Sequence, residues 1–271
     1  MRKKRNTPFS LPSYRDFKKD FGRYNALISF ENLACKHLLA EKKEGESIGK
    51  MLSRVSELYG GNLTDILPEY QAVIDKSFLN HPFACFEAYL EDFREEYKKY
   101  VNPHFSLVNG EGKSKLEQYL LSLKVDGIIP QISICQTDLY HYHRLIRNSC
   151  IHHDSEYTSL RNKYKQVQKR FDDLVELYDI KPSSPEQFSF NDYVLCSTNI
   201  NAIAELISIA VEKHINWEAI DFFEKGIVSR GRLRRLKDKK DRQIQYIHSS
   251  FISVFGIKAP TIAVNKILSA L

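Results

Sequence analysis

The stretch that decides the fold is residues 81–100, HPFACFEAYLEDFREEYKKY. Phe83, Phe86, Leu90, Phe93, Tyr97 and Tyr100 recur at spacings of 3, 4, 3, 4 and 3, the period of one face of an α-helix. Glu87, Glu91, Asp92, Arg94 and Glu95 fall off that stripe, so the segment predicts a helix with a buried aromatic seam. The same pattern extends outward in both directions. A first helix is expected from Ser13 to about Lys43, with Ser13 and Asp16 resembling a capping box. A second is expected over Ser47–Tyr59, closed by Gly60-Gly61.

After the stripe, Pro103 and Asn109-Gly110 mark a loop over 101–112. Helices are then expected over Lys113–Leu123, from Gln131 to about His152, and as one charged helix over Ser155–Tyr178. Lys181-Pro-Ser-Ser-Pro185 reads as a linker. Ser189 and Asp192 open an apolar helix with Ile200, Ile203, Ala204, Ile207, Ala210 and Val211 on one side. Only short pieces such as Val125–Ile129 suggest strand. The fold class is therefore all-α. The expected organisation is a basic tail over 1–12, a helical domain over 13–215, and a helical extension over 216–271 that looks like an appendage.

Composition narrows the function. The chain has 271 residues, 42% hydrophobic and 27% charged, which suits a packed core and excludes a disordered polymer. Five scattered cysteines without a CxxC pair argue against a zinc ribbon or a disulfide scaffold and suit a reducing cytoplasm. MRKKR is followed by Asn6, Thr7 and Pro8, not by the apolar run of a secretory signal. The most apolar stretch, Ala202–Val211, contains Glu205 and Ser208 and is too short to span a bilayer, so no membrane partner is expected.

The net charge of +6 is local. Arg2, Lys3, Lys4 and Arg5 contribute four positive charges. Between Arg230 and Arg242 eight basic residues oppose Asp238 and Asp241, a net of six, which leaves the remainder of the chain at −4. Such clustering suits a polyanion-binding surface, and equally a solvated basic helix. Arg232, Arg234, Arg235 and Lys239 are the candidate RNA-binding residues of the run.

Residues 141–154, HYHRLIRNSCIHHD, carry the chemistry, and three readings compete. His141, His143, His152, His153 and Asp154 are metal-ligand types. However, His141 and His143 stand roughly 200° apart on a helix, and no i, i+4 histidine pair exists. A structural reading buries Leu139, Ile146 and Cys150 and leaves the polar residues in water. The third is phosphoryl transfer: Arg147 supplies a permanent cation that forks onto phosphate oxygens, and an imidazole serves as base or acid near neutral pH.

Arg147-Asn148-x-x-x-His152 resembles the signature of the HEPN nucleases: arginine, a polar residue, and histidine after four to six intervening positions. His153 fits the next longer spacing, so the histidine assignment is open. The resemblance covers roughly residues 13–215, by helix order more than by sequence. It implies a HEPN-like helical bundle and a metal-independent endoribonuclease needing no cofactor, with Arg147, Asn148 and His152 (or His153) catalytic. It implies a homodimer whose two copies line one composite cleft, because five helical steps rotate roughly 140° and separate Arg147 from His152 on a straight helix. It further implies a toxin or phage-defence role, with an antitoxin or a phage trigger as possible partner. Family members also place a polar or acidic residue on an earlier helix, for which Glu87, Glu91 and Asp92 are candidates. The alternative is a HEPN-like module that binds RNA or regulates without cutting, and beyond that a helical scaffold in which the motif is fortuitous.

Overall fold

The computed structural model describes residues 9–59, 70–108, 110–151, 157–237 and 239–271. The described residues form α-helices and short 3-10 turns, with no strand among them. The helices are α1 (Pro12–Ala40), α2 (Ile48–Tyr59), α3 (Tyr70–Ser77), α4 (Asn80–Tyr100), α5 (Lys115–Val125) and α6 (Ile134–Ile151). They continue with α7 (Tyr157–Gln168), α8 (Phe171–Tyr178), α9 (Phe190–Ala210), α10 (Arg230–Arg235), α11 (Lys240–Phe255) and α12 (Thr261–Ser269). The all-α expectation holds. Val125–Ile129 is the end of α5 and a turn instead of a strand. Gly60-Gly61, the expected close of α2, lies outside the described residues.

The chain divides into two units; three of the divisions fall inside α1, α4 and α9, and the fourth lies between α5 and α6. The first unit holds the chain up to Lys18, Phe86–Ile132 and Ala202–Leu271; the second holds Lys19–Cys85 and Ser133–Asn201.

In the first unit, α4 does what its spacing predicts. Phe86, Leu90, Phe93, Tyr97 and Tyr100 are all buried. The rings of Phe86, Tyr89, Phe93 and Tyr97 form a chain of contacts, with Phe93 to Tyr97 at 5.7 Å, and Tyr97 meets Phe105 at 4.5 Å. Tyr89, also buried, donates to the Ala204 carbonyl on α9 at 2.9 Å, which satisfies a hydroxyl that would otherwise be costly in the core. The N-terminus of α1 departs from the expected Ser13–Asp16 box. Helix α1 begins at Pro12, where a missing N–H costs nothing. The Ser13 N–H donates to both Glu96 carboxylate oxygens at 3.0 Å. A carboxylate from α4 thus meets the positive end of α1. Burial nevertheless pushes the Glu96 carboxyl above its ordinary range.

Helix α5 carries a complete capping box. The Glu117 N–H donates to Ser114 Oγ at 3.3 Å, and the Ser114 N–H donates to the Glu117 carboxylate at 2.7 Å. The helix ends in a Schellman turn: Gly127 N–H reaches the Lys124 carbonyl at 3.0 Å and Ile128 N–H the Leu123 carbonyl at 2.8 Å. Gly127 sits at φ +77, where a side chain would be strained. We expect Ser114→Ala to cost about 1 kcal/mol. That should lower the thermal midpoint by roughly 2–4 °C, readable by circular dichroism; an unchanged midpoint would show that the box contributes nothing.

Residues 216–271 are integrated with this unit, not appended to it. Phe255 of α11 stacks on Phe9 at 6.2 Å and meets Tyr100 edge-on at 5.4 Å. The Ser10 N–H donates to the Phe255 carbonyl at 3.0 Å, and Arg15 of α1 donates to the Ser253 carbonyl. Local periodicity showed an apolar C-terminal segment but not where its aromatic face docks.

In the second unit, Ile28, Phe78 and Tyr193 form a buried cluster flanked by Ile74 and Phe190. Helix α6 packs along α7 and also meets α3 and α8. Gln136, Tyr178 and Asn199 close a polar triangle: Gln136 Nε2 donates to the Tyr178 hydroxyl at 3.0 Å, and that hydroxyl donates to Asn199 Oδ1 at 2.8 Å. Asn199 Nδ2 then donates to the Gln136 carbonyl at 3.0 Å.

Two expectations change in this unit. The single charged helix expected over Ser155–Tyr178 is broken between α7 and α8, where Lys169 and Arg170 make short i→i−3 bonds. No proline or glycine marks that break. Leu160, Val167 and Leu174 are buried on either side of it. The 181–185 segment is a tied connection inside the unit instead of a free linker. Pro185 is buried, Tyr142 donates to the Ser183 carbonyl at 2.5 Å, and the Ser183 N–H donates to Asp192 at 2.7 Å. The Ser189–Asp192 opening of α9 forms as expected, with the Ser189 N–H and hydroxyl both donating to Asp192 at 2.9 Å.

The Phe190–His214 stretch is longer than the Ala202–Val211 core seen in sequence. By length and composition it suffices to cross a membrane, with a mean hydropathy of 1.6, and 56% of that apolar window is buried within the protein. Ile200, Ile203, Ala204, Ile207 and Val211 are among its buried residues, while Ala210 is half-buried.

Candidate functional site

Helix α6 presents the 141–151 part of the chemistry-bearing segment. Its alternating burial follows from helical rotation. Leu139, Tyr142, His143 and Ile146 face the core, and His141, Arg144, Arg147, Asn148 and Ser149 are half-buried. His141 and His143 thus diverge, as their spacing requires.

Arg147 lies on the half-buried face in the last turn and a half of α6. Its Nε–H donates to Asn80 Oδ1 at 3.4 Å, and its guanidinium carbon stands 5.7 Å from the centre of the Phe83 ring. Phe83 is fully buried and packs on Tyr140 at 5.3 Å, so the ring under the guanidinium is fixed. The arrangement places a permanent cation over a π face with an amide oxygen alongside, which limits its rotamers. Asn80 opens α4, 67 residues earlier in the chain. Its neighbour His81 stacks on Tyr24 at 6.0 Å.

Of the acidic candidates on α4, Glu91 is engaged in ion pairs. Glu91 accepts from Lys115 at 2.7 Å and Arg94 at 3.0 Å, and the Lys115 hydrogen bond holds its carboxyl below the usual range. The Glu87 carbonyl accepts from Lys115 at 3.5 Å. Asp92 is exposed. All three belong to the first unit, whereas Arg147 belongs to the second. The polar group that α4 sets against Arg147 is Asn80, and no sequence signal pointed to it. Only the packing of α4 on α6 brings these residues together.

His152, His153 and Asp154 lie outside the described residues. Asn148 is half-buried beside Arg147 in the chain. Among the described residues no three histidine, cysteine or acidic side chains converge as metal ligands. His143 is fully buried against Tyr142 and Phe188, with neither ring nitrogen hydrogen-bonded among the described residues. Burial pulls its pKa from 6.5 down to about 4, against the opposing pull of Asp192. It is a neutral core side chain.

The basic run sorts into separate surfaces of the first unit. Arg232 and Arg235 of α10 and Arg242 of α11 line an open groove of about 1010 Å³. Arg234 and Lys239 are exposed but are not part of its lining. Arg230 stacks over Phe223 at 4.5 Å. Ser249, Ser250 and Ser253 join the groove and were not singled out from sequence. Their signal was available: Arg242, Tyr246, Ser249 and Ser253 follow one helical face. The N-terminal basic run, residues 2–5, lies outside the described residues.

A comparison with protein-family models, with curated proteins and with solved structures finds no match to this chain.

Proposed function

We propose that the chain is a metal-independent endoribonuclease of HEPN type. On this reading it acts in the cytoplasm as a homodimer, in phage defence or as a toxin. The observation that supports it is the setting of Arg147. A guanidinium near the C-terminal end of a long helix is restrained by Phe83 and Asn80, with Asn148 next to it and His152 and His153 following in sequence. A restrained cation suits charge that develops on a phosphorane, because little reorganisation remains to be done during reaction.

The reaction needs one proton removed and one supplied. An imidazole takes the 2′-OH proton, the 2′ oxygen bonds to phosphorus, and the P–O5′ bond breaks as a second imidazole protonates the leaving oxygen. His152, or His153, supplies each imidazole, one from each copy. The products are a 2′,3′-cyclic phosphate and a 5′-OH.

The test is incubation of the purified chain with total RNA in EDTA, wild type beside His152→Ala. We expect cleavage by the wild type with 5′-OH ends, undiminished by the chelator. Ends bearing 5′-phosphate, or activity abolished by EDTA and restored by magnesium, would overturn the mechanism. RNA binding without cleavage would leave the non-catalytic module in its place.

A further inference from the structure

From the groove between α10 and α11 we infer that the first unit holds the backbone of single-stranded RNA through Arg232, Arg235 and Arg242, without reading bases. The inference rests on the proposed action on RNA for the choice of polyanion; the binding surface itself is independent of Arg147, which belongs to the other unit.

Charge comes first. Three guanidiniums from two helices face one groove, and no carboxylate lines it among the described residues. Arginine forks onto phosphate oxygens, and serine hydroxyls add neutral donors that position a backbone. Ser249, Ser250 and Ser253 provide such donors along the same wall.

Length selects the occupant. The lining of α11 runs from Arg242 to Ser253, eleven helical steps, or about 16 Å. That exceeds a compact phosphate group and suits several successive phosphates of one extended strand. A positive groove that tracks a backbone is how single strands are commonly held.

Aromatic stacking would add base contacts, but Tyr246, the one aromatic among the described residues of the lining, is already engaged. The Arg232 guanidinium lies 4.7 Å from the centre of the Tyr246 ring. The Tyr246 hydroxyl also accepts from the Ser229 N–H at 3.1 Å, at the start of α10. Tyr246 therefore sets the position of Arg232 instead of offering its face to a base. Binding should tolerate any sequence.

The test measures binding to 12-mer oligouridine and oligoadenine across a salt series, in the Arg147→Ala background so that the probe survives. Each phosphate contact on a single strand contributes about −0.7 to the slope of log K against log salt. Arg232→Ala/Arg235→Ala/Arg242→Ala should flatten that slope by about 2, equivalent to about 10²-fold weaker binding at 0.1 M salt. The corresponding triple lysine variant should keep the slope, which separates charge from folding. Arg234→Ala/Lys239→Ala should move it less than any one groove arginine. Oligouridine and oligoadenine should bind alike.

An unchanged slope in the triple alanine variant, or loss of slope in the lysine variant, would overturn the inference. So would tighter binding of a 12-bp RNA duplex, or displacement of RNA by equimolar inorganic tripolyphosphate. Failure of the groove leaves RNA cleavage dependent on Arg147 intact. Undiminished cleavage by Arg147→Ala would refute the catalytic reading and leave the groove result standing.

Discussion

Arg147→Ala should lower the single-turnover rate of RNA cleavage by about 10²–10³ while leaving RNA binding nearly unchanged. The asymmetry follows from where the cation is needed. Ground-state phosphate can be held by many basic side chains, but the extra charge on the phosphorane needs a donor already in place. Arg147 is restrained by the Phe83 ring and by Asn80. Arg147→Lys should recover little, because an ammonium cannot fork onto two oxygens and is not planar against the ring. His152→Ala should be as damaging and His153→Ala milder; the reverse order would move the imidazole role to His153. Equal losses in rate and affinity on Arg147→Ala would make Arg147 a binding residue only.

Acidification should destabilise the chain by about 3 kcal/mol between pH 6.5 and about 4, and His143→Phe should remove most of that loss. His143 has an ordinary value of 6.5, reduced to about 4 by full burial. Above pH 6.5 the imidazole is neutral in both folded and unfolded chains, and it contributes no pH dependence. Between 6.5 and 4 the unfolded chain gains a proton that the folded one refuses, so stability falls by about 1.4 kcal/mol per pH unit. Below 4 both forms are protonated and the loss is complete. The negative charge of Asp192 acts in the opposite direction but does not overcome desolvation. Denaturant titrations at pH 7.5, 5.5 and 4.5 would check this. A wild-type pH slope equal to that of His143→Phe would show that the folded core accepts the proton.

The sequence by itself determined several of the helices. The 3-4-3-4-3 aromatic spacing placed α4, and the buried Phe83, Phe86, Leu90, Phe93, Tyr97 and Tyr100 repeat that reading in three dimensions. The Ser189–Asp192 pair placed the start of α9. Such features are legible because a helix repeats every 3.6 residues and its cap lies within three, so the needed residues are neighbours in the chain. The Arg147-Asn148 pair was legible for the same reason.

Tertiary structure alone decided what those helices meet. Nothing within a turn of Ser13 shows that Glu96 receives its N–H in place of Asp16. Likewise, nothing near Arg147 points to Asn80, because that contact depends on how α4 lies against α6. His143 and His141 are the same residue type two positions apart, yet one is entirely buried because rotation turns it toward Tyr142 and Phe188. In the basic run, charge count treated Arg234 and Arg242 alike. Only the packing of α10 beside α11 sets Arg242 in the groove with Arg232 and Arg235 and leaves Arg234 outside it. Side-chain type and local period are properties of the chain; the partner of a side chain is a property of the packed surface opposite it, contributed by residues tens of positions away.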